Sequence, residues 1–304
     1  MNVIFVGTAP LGIPTLRALA QKHTVLAVFT QPDRPAGRGL TLTPPPIKRV
    51  ALELSLPVYQ PEKINREVEL IKALNPDVIV VVAFGQFLSK RLLAIPKFGC
   101  INLHASLLPK YRGAAPIQWA IINGETETGL TTFLLNEEMD AGDILLQERV
   151  PISDEDTAGT LHDKLAELGP DLVLRTLEGL EQGTLTPRPQ DPSQATFAPK
   201  IDGTMGQIDW SQPARKLFNL IRGLNPSPGA YTFWEGQRLK LYASRVVPSS
   251  SIFPPGCVID AERLLVRCGE DALELLEVQP AGKRRMSARD FVNGYKIRMG
   301  MRFG

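Results

Sequence analysis

The feature that most limits the fold of this 304-residue chain is an apolar run at residues 77–83, DVIVVVA. Residues 78–83 are all apolar, so a strand formed by them would have apolar side chains on both of its faces. Strands with two apolar faces lie in the centre of parallel sheets that helices cover on both sides. The run therefore predicts an α/β domain that is built on a parallel sheet.

Other segments of the first 185 residues fit the same architecture. Residues 2–7 form a short apolar run that ends at Gly7, which predicts a buried strand and then a turn. Helices are expected at residues 14–20 and 156–183, the second because its leucines recur at helical spacing. Further strands are expected at residues 25–30, 100–104 and 129–135. Strands that alternate with helices predict a doubly wound, mainly parallel, Rossmann-like sheet.

The second half of the chain has a different pattern. Residues 186–192, TPRPQDP, predict a Pro-rich linker of extended character. Beyond residue 203, one helix at residues 213–223 precedes short strand-like segments that Pro and Gly separate, which predicts a small, OB-like β-barrel. We therefore expect a first domain at residues 1–185, a linker at residues 186–202 and a β-barrel domain at residues 203–304.

Charge is distributed unevenly between residues 1–202 and residues 203–304. The net charge is only +2, but residues 203–304 contain 15 Lys and Arg against nine Asp and Glu, whereas the first 202 residues contain 19 against 23. A basic second domain indicates a polyanionic partner, and ordinary scatter of surface charge is the alternative interpretation.

Cysteine content and apolar runs bear on the compartment. The three cysteines are too few and too scattered for a disulfide framework or a zinc site, so no metal is expected. The first residues contain no basic segment typical of a signal peptide, and no apolar run approaches the roughly 20 residues that span a bilayer. We therefore expect a cytoplasmic protein without a membrane partner.

Polar residues of catalytic type gather after the strand at residues 100–104. Asn102 and His104 alternate along this strand and point to one side, near the carboxyl end where open α/β sheets bind ligands. A neutral His can act as a base, and an Asn amide can donate to an oxyanion. Asp140 supplies a carboxylate shortly after the strand at residues 129–135. A structural histidine near a turn and an ordinary acidic turn are the alternatives.

The segment NLHASLLP at residues 102–109, with Asp140 downstream, resembles the signature of the folate-dependent formyltransferases. The resemblance implies that Asn102, His104 and Asp140 are catalytic. It also implies that a folate lies in the crevice between the loop after His104 and the strand that ends near residue 84. The residues expected to bind this folate are Ser106, Leu107, Leu108, Pro109, Phe84, Gly85 and Asp143.

Further segments resemble the methionyl-tRNA formyltransferases within that family. They are QPDRPAGRG at 31–39, RGAAPIQW at 112–119, KLAELGP at 164–170, IDW at 208–210, IRGLNP at 221–226 and QPAGK at 279–283. This resemblance implies transfer of the formyl group of 10-formyltetrahydrofolate to the α-amino group of methionine on initiator tRNA, for translation initiation. It further implies a monomeric enzyme that needs no metal.

Four basic residues are expected to contact tRNA phosphates. They are Arg34 and Arg38 in the segment at residues 31–39, and Lys283 and Arg284 in the second domain. A solvated loop arginine and a turn of solvated charge are the alternatives. Rival functions are formyl transfer to an amino sugar or a purine precursor, hydrolysis of formyl-folate, and a non-catalytic nucleotide-binding module fused to an RNA-binding barrel.

Overall fold

The computed structural model describes residues 1–36 and 41–304. Its α-helices are α1 (Ile13–Lys22), α2 (Pro46–Glu53), α3 (Val68–Leu74), α4 (Lys90–Leu93), α5 (Pro116–Ile122), α6 (Ala158–Glu181), α7 (Ala214–Gly223) and α8 (Ala288–Tyr295). Its strands are β1 (Asn2–Gly7), β2 (Thr24–Phe29), β3 (Arg34–Ala36), β4 (Thr41–Thr43), β5 (Val58–Tyr59), β6 (Val78–Val82), β7 (Cys100–His104), β8 (Arg112–Gly113), β9 (Glu127–Leu134), β10 (Ile144–Pro151), β11 (Phe197–Ala198), β12 (Ala230–Trp234), β13 (Gln237–Val247), β14 (Val258–Asp260), β15 (Leu265–Arg267), β16 (Ala272–Pro280) and β17 (Met286–Ser287).

The chain divides into two compact units. The first comprises residues 1–116, 127–151 and 162–199, and the second comprises residues 117–126, 152–161 and 200–304. Two short segments that lie between parts of the first unit along the chain therefore belong to the second unit. No helix within the described ranges is both long and apolar enough to cross a bilayer.

The first unit is built on a seven-stranded sheet in the order β10-β9-β7-β6-β1-β2-β5. The strands from β7 to β5 are parallel, and β9 and β10 are antiparallel at one edge. β6 lies in the middle and is buried along its whole length, because its apolar side chains are covered on both faces. The expected doubly wound, mainly parallel sheet is confirmed.

The winding of this sheet reverses between β1 and β6. The chain proceeds from β1 to β2 and β5 on one side, and from β6 to β7 on the other. In open α/β sheets, ligands bind at the carboxyl ends of the strands beside such a reversal. Gly7 at the end of β1 pairs with Val82 at the end of β6, and the end of β7 lies one strand further along.

Side chains from alternate positions of the strands form the core of the first unit. Ile4, Val6, Ile79 and Val81 occupy one face and pack with Ile71 of α3. Such β-branched residues suit a pleated surface that is covered on both sides. The core therefore fixes the strand ends that carry the polar residues.

The second unit is built on a six-stranded antiparallel sheet. Five strands follow the order β12-β13-β16-β15-β14, and β17 pairs with β16. Its core includes Trp210, Leu217, Leu241, Phe291 and Phe303. Short antiparallel strands around one apolar core are consistent with the small barrel that the sequence predicts.

Candidate active site

His104 is the last residue of β7 and is 7% exposed. Its Nε2 lies 2.9 Å from the carbonyl oxygen of Tyr111. A carbonyl oxygen can only accept a hydrogen bond, so Nε2 carries a proton and donates it. In the neutral imidazole, the free lone pair is consequently on Nδ1.

Asp140 lies on the Nδ1 side of this imidazole. Its Oδ2 is 3.6 Å from Nδ1 of His104, and its side chain is 14% exposed. The same oxygen accepts a 2.7 Å hydrogen bond from the backbone N–H of Gly113. Asp140 has a φ of 48°, a left-handed conformation that short polar residues tolerate better than others. A carboxylate held in this place stabilises a proton on Nδ1 electrostatically.

Asn102 lies on the same face of β7 as His104, two residues upstream. It is half-buried and pairs through its backbone with strands on both sides, opposite Val81 and Phe133. In the part of the chain that the structure describes, the Asn102 carboxamide has no hydrogen-bond partner. This carboxamide can therefore donate a hydrogen bond to a ligand at the carboxyl ends of the parallel strands.

The loop after His104 is held by polar side chains beneath it. Ser106 is fully buried, and its Oγ donates to the carbonyl oxygen of Lys110 at 2.6 Å. The Thr131 hydroxyl donates to the carbonyl oxygen of Ser106 at 2.7 Å and accepts the N–H of Leu108 at 3.2 Å. Leu108 is buried, whereas Leu107 and Pro109 are half-buried. A ligand at this loop would meet Leu107, Pro109 and the backbone rather than the Ser106 hydroxyl.

The chain turns sharply at the end of β6. Ala83 and Gly85 have φ values of 48° and 83°, and both are exposed. The Phe84 side chain between them is 4% exposed and packs in the core, while its carbonyl oxygen accepts from Gln31 at 3.2 Å. No atom lies within 4 Å of the place that a Cβ on Gly85 would take. Exposed backbone, not the Phe84 ring, is what this turn offers a ligand.

The remaining residue expected to bind folate, Asp143, precedes β10 and is half-buried. Its carbonyl oxygen accepts the backbone N–H of Leu134 at 2.9 Å. This hydrogen bond fixes the turn between β9 and β10, so the backbone of Asp143 has a structural role.

Two of the basic residues expected to bind tRNA belong to the first unit. Arg34 is exposed in β3, opposite Thr43 of β4, and its guanidinium has no partner among the described residues. Hydrogen bonds from Gln60 and then from Lys48 lower the pKa of the neighbouring Asp33 carboxyl below its ordinary value. Arg38 lies outside the described residues.

The other two basic residues lie in the second unit. Lys283 and Arg284 are exposed in the turn between β16 and β17. The backbone N–H of Lys283 donates to the carbonyl oxygen of Pro280, and its carbonyl oxygen accepts from Gln279. These bonds fix the turn and leave both cationic side chains facing solvent.

The described ranges contain no group of three or more His, Cys, Asp or Glu side chains that could hold a metal ion. The three cysteines are buried and unpaired with one another. Burial raises the pKa of the Cys100 and Cys268 thiols to about 12, so neither is a nucleophile at neutral pH. The polar side chains that the structure brings together at the end of β7 are those of His104 and Asp140, with Asn102 on the same face of that strand.

Comparison with known protein families shows which family this chain belongs to. A sequence model described as "Formyl transferase" matches residues 1–177, which include all three of those residues. The chain belongs to the formyltransferase family. A second model, described as "Formyl transferase, C-terminal domain", matches residues 200–296.

Curated relatives of this formyltransferase align over nearly the full length. The methionyl-tRNA formyltransferase of Caldanaerobacter subterraneus subsp. tengcongensis is 48% identical over 302 residues, covering 98% of each chain. The methionyl-tRNA formyltransferase of Halalkalibacterium halodurans is 50% identical over 300 residues, covering 97% of this chain and 95% of its own.

Solved structures share the fold at lower identity. An N-formyltransferase from Helicobacter canadensis, in complex with folinic acid and dTDP-3-aminofucose, has a TM-score of 0.69 and 18% identity over 90% of this chain and 98% of its own. HypX from Aquifex aeolicus, in complex with tetrahydrofolic acid, has a TM-score of 0.63 and 17% identity over 96% of this chain and 47% of its own. At this identity the likeness concerns the fold.

Two groups of this formyltransferase site were not foreseen from the sequence. The Tyr111 carbonyl and the Gly113 N–H are the partners of His104 and Asp140, and both are backbone groups. Every residue carries such groups, so no residue type marks them. The single available signal is Gly113 itself, whose φ is 119° and whose Cβ would lie 2.8 Å from the Ala198 carbonyl oxygen.

Proposed function

We propose that this formyltransferase transfers the formyl group of 10-formyltetrahydrofolate to the α-amino group of methionine on initiator tRNA, which yields N-formylmethionyl-tRNA. The observation that carries the proposal is the pair of contacts at the His104 ring: Nε2 lies 2.9 Å from the Tyr111 carbonyl oxygen, and Nδ1 lies 3.6 Å from the Asp140 carboxylate. The relatives named methionyl-tRNA formyltransferase support the choice of acceptor.

The residues at the end of β7 suit acyl transfer to an amine. The attacking amine must be neutral and must lose a proton as it forms the new bond. Nδ1 of His104 can take that proton, and the Asp140 carboxylate 3.6 Å away stabilises it there. The same proton can then pass to the leaving nitrogen of the donor as the bond between that nitrogen and the formyl carbon breaks. The Asn102 amide can donate to the formyl oxygen as negative charge develops on it. Removing one such donor typically raises the barrier by about 2.7–4 kcal/mol.

The chain also has features that fit a reduced folate. When bound, 10-formyltetrahydrofolate supplies the formyl group and a nitrogen leaving group. The unpartnered Asn102 carboxamide can meet the formyl oxygen, and the exposed backbone at Ala83 and Gly85 can meet the edge of a planar heterocycle. Leu107 and Pro109 offer half-buried apolar surface for its ring face.

The tRNA would be held by phosphate contacts from Arg34, Arg38, Lys283 and Arg284. Many weak contacts of this kind give an affinity for RNA that does not depend on base sequence and that falls as the salt concentration rises. In this proposal residues 1–185 are the catalytic domain, residues 186–202 the linker and residues 203–304 the tRNA-binding domain. The enzyme is proposed to act as a monomer in the cytoplasm.

A transfer assay tests the acceptor. The protein is supplied with 10-formyltetrahydrofolate and, in parallel, with methionyl-initiator tRNA, free methionine or a dTDP-amino sugar. We expect formylation of the charged tRNA at a kcat/KM at least a hundredfold above that of either small acceptor. Preferential formylation of the sugar would overturn the proposal, and release of formate without an acceptor would indicate a hydrolase.

Salt dependence tests the phosphate contacts. Arg34→Ala and Arg284→Ala should each weaken tRNA binding and reduce the slope of log Kd against log salt by about one. Arg66, an exposed cation of the first unit, provides the matched control, and Arg66→Ala should leave the slope unchanged. An unchanged slope for Arg34→Ala or Arg284→Ala would remove that residue from the interface.

A further inference from the structure

The segment at residues 188–198, here called the brace segment, packs against the loop that holds His104. The Thr196 carbonyl oxygen accepts the N–H of Arg112 at 2.9 Å, and the Thr196 hydroxyl accepts the N–H of Tyr111 at 2.9 Å. β11 in this segment pairs in parallel with β8, so that Ala198 lies opposite Gly113. The brace segment therefore fixes the residue whose carbonyl binds Nε2 and the residue whose N–H binds Asp140.

Gln190 connects the brace segment to Asp140 itself. Its Nε2 donates to the carbonyl oxygens of Asp140 and Gly142, both at 2.8 Å. Its Oε1 accepts from Nε and Nη2 of Arg112 at 3.1 and 2.7 Å. Arg112 is 8% exposed, so this guanidinium is tied to the loop.

Chemistry permits a single orientation of this carboxamide. A guanidinium has only donors and a backbone carbonyl has only an acceptor, so Oε1 must face Arg112 and Nε2 must face the two carbonyls. With the amide reversed, all four contacts would be repulsive. The side chain of Gln190 thus acts as a fixed spacer between the loop after β7 and the turn that carries Asp140.

We propose that Gln190 is a positioning residue for the His104–Asp140 pair, an inference that rests on the proposed function. It holds Asp140 at its φ of 48°, through the two carbonyl contacts, with Oδ2 directed at Nδ1 of His104. The left-handed conformation is unfavourable in free energy for a residue other than glycine. Without these contacts the turn is therefore free to relax to another conformation. The carboxylate then leaves Nδ1.

A contribution to stability alone is a poor explanation of these contacts. Gln190 is only half-buried, and its neighbours Pro189 and Asp191 are exposed, so truncation of the side chain opens no apolar core. A displacement of about 1 Å at a catalytic group can reduce turnover a hundredfold. Truncation also removes the acceptor of the buried Arg112 guanidinium and so lowers the stability of the fold. A loss of turnover in protein that remains folded distinguishes the positioning role from that loss.

A double-mutant cycle in the full chain tests this relation. Gln190→Ala should lower kcat for formyl transfer about tenfold or more, with each KM within twofold of wild type. Asp140→Asn should lower kcat by itself, and Gln190→Ala added to it should cost less than a further twofold, since the two act on one step. Multiplicative losses in the two backgrounds, or an unchanged kcat in the single variant, would overturn the proposal.

Two further variants separate positioning from folding. Gln190→Glu keeps acceptors toward Arg112 but sets a carboxylate against the two carbonyls, so it should lower kcat at least as much as Gln190→Ala. It also serves in the cycle if Gln190→Ala does not fold. Gln194, which is exposed and whose amide donates to Asp191, is the matched control, and Gln194→Ala should leave kcat unchanged.

A spectroscopic readout keeps the test independent of turnover. The chain has three histidines, so ¹⁵N-histidine spectra resolve each ring. Gln190→Ala should move the Nδ1 signal of His104 in the direction that Asp140→Asn moves it, and should leave the signals of the half-buried His162 unchanged. An unmoved His104 signal would overturn the positioning role. Failure of wild-type protein to formylate methionyl-tRNA would instead count against the proposed function, and the spectra would still decide the role of Gln190.

Discussion

Asp140→Asn changes the charge beside His104 and almost nothing else. The new side chain has the same size, and its amide oxygen can still accept the N–H of Gly113, which now donates at 2.7 Å. The Nε2 contact of His104 with Tyr111 is not touched. The variant therefore isolates the electrostatic effect of the carboxylate on a proton at Nδ1.

The size of that effect follows from the distance between the charges. Two unit charges 3.6 Å apart interact by about 4–5 kcal/mol at an effective dielectric constant of 20. The carboxylate is 14% exposed, so water reduces this figure, and we take about 3 kcal/mol as the loss. This corresponds to a decrease in kcat of about 150-fold. The fold should lose only about 1 kcal/mol, because one charge-assisted hydrogen bond becomes an ordinary one.

The assay is single-turnover formyl transfer to methionyl-tRNA, combined with thermal unfolding of the same samples. We expect the 150-fold lower rate together with a Tm within about 4 °C of wild type. Glu138→Gln is the matched control, because Glu138 is exposed in the turn that leads to Asp140 and has no side-chain contact to His104 among the described residues. A rate within threefold of wild type for Asp140→Asn would refute the role assigned to the carboxylate.

Three further outcomes are expected. Burial opposes ionisation of Glu274, but its ion pairs with two arginines outweigh burial and hold the pKa of Glu274 below its ordinary value of 4.5. The carboxylate therefore stabilises the fold above pH 4.5, and this stabilisation is lost as the pH falls through the lowered pKa. In urea titrations, Glu274→Gln should lower the free energy of unfolding by about 1 kcal/mol at pH 7 and by progressively less below pH 4.5. Arg222, 7% exposed, donates to the carbonyl oxygen of Ser153, so Arg222→Ala should lower the free energy of unfolding by about 2–4 kcal/mol, and a loss below 0.5 would contradict that anchoring role. The buried thiols of Cys100 and Cys268 should react with a thiol reagent only on unfolding, and fast labelling of native protein would show that they are accessible.

Local sequence determined the central strands of the first unit. The apolar run at residues 77–83 predicts β6 because the burial of a strand on both faces depends on its own side chains. Likewise β7 has the predicted bounds, Cys100–His104, and α6 begins and ends within two residues of the predicted helix. The strand end at His104 could therefore be predicted as a candidate site before any contact was known.

Strand direction and distant contacts were decided by the tertiary structure. The sequence predicts a strand near β9 but not that it runs antiparallel to β7, since direction depends on the path of the chain between them. The hydrogen bonds of His104 and Asp140 use backbone groups of Tyr111 and Gly113, which no residue type encodes. Gln190 lies in a Pro-rich segment whose composition predicts a linker. Composition reflects the local preferences of a segment and does not indicate which loop the segment packs against. Periodicity is a property of a short window, whereas the position of a carboxylate beside an imidazole is a property of the whole folded unit.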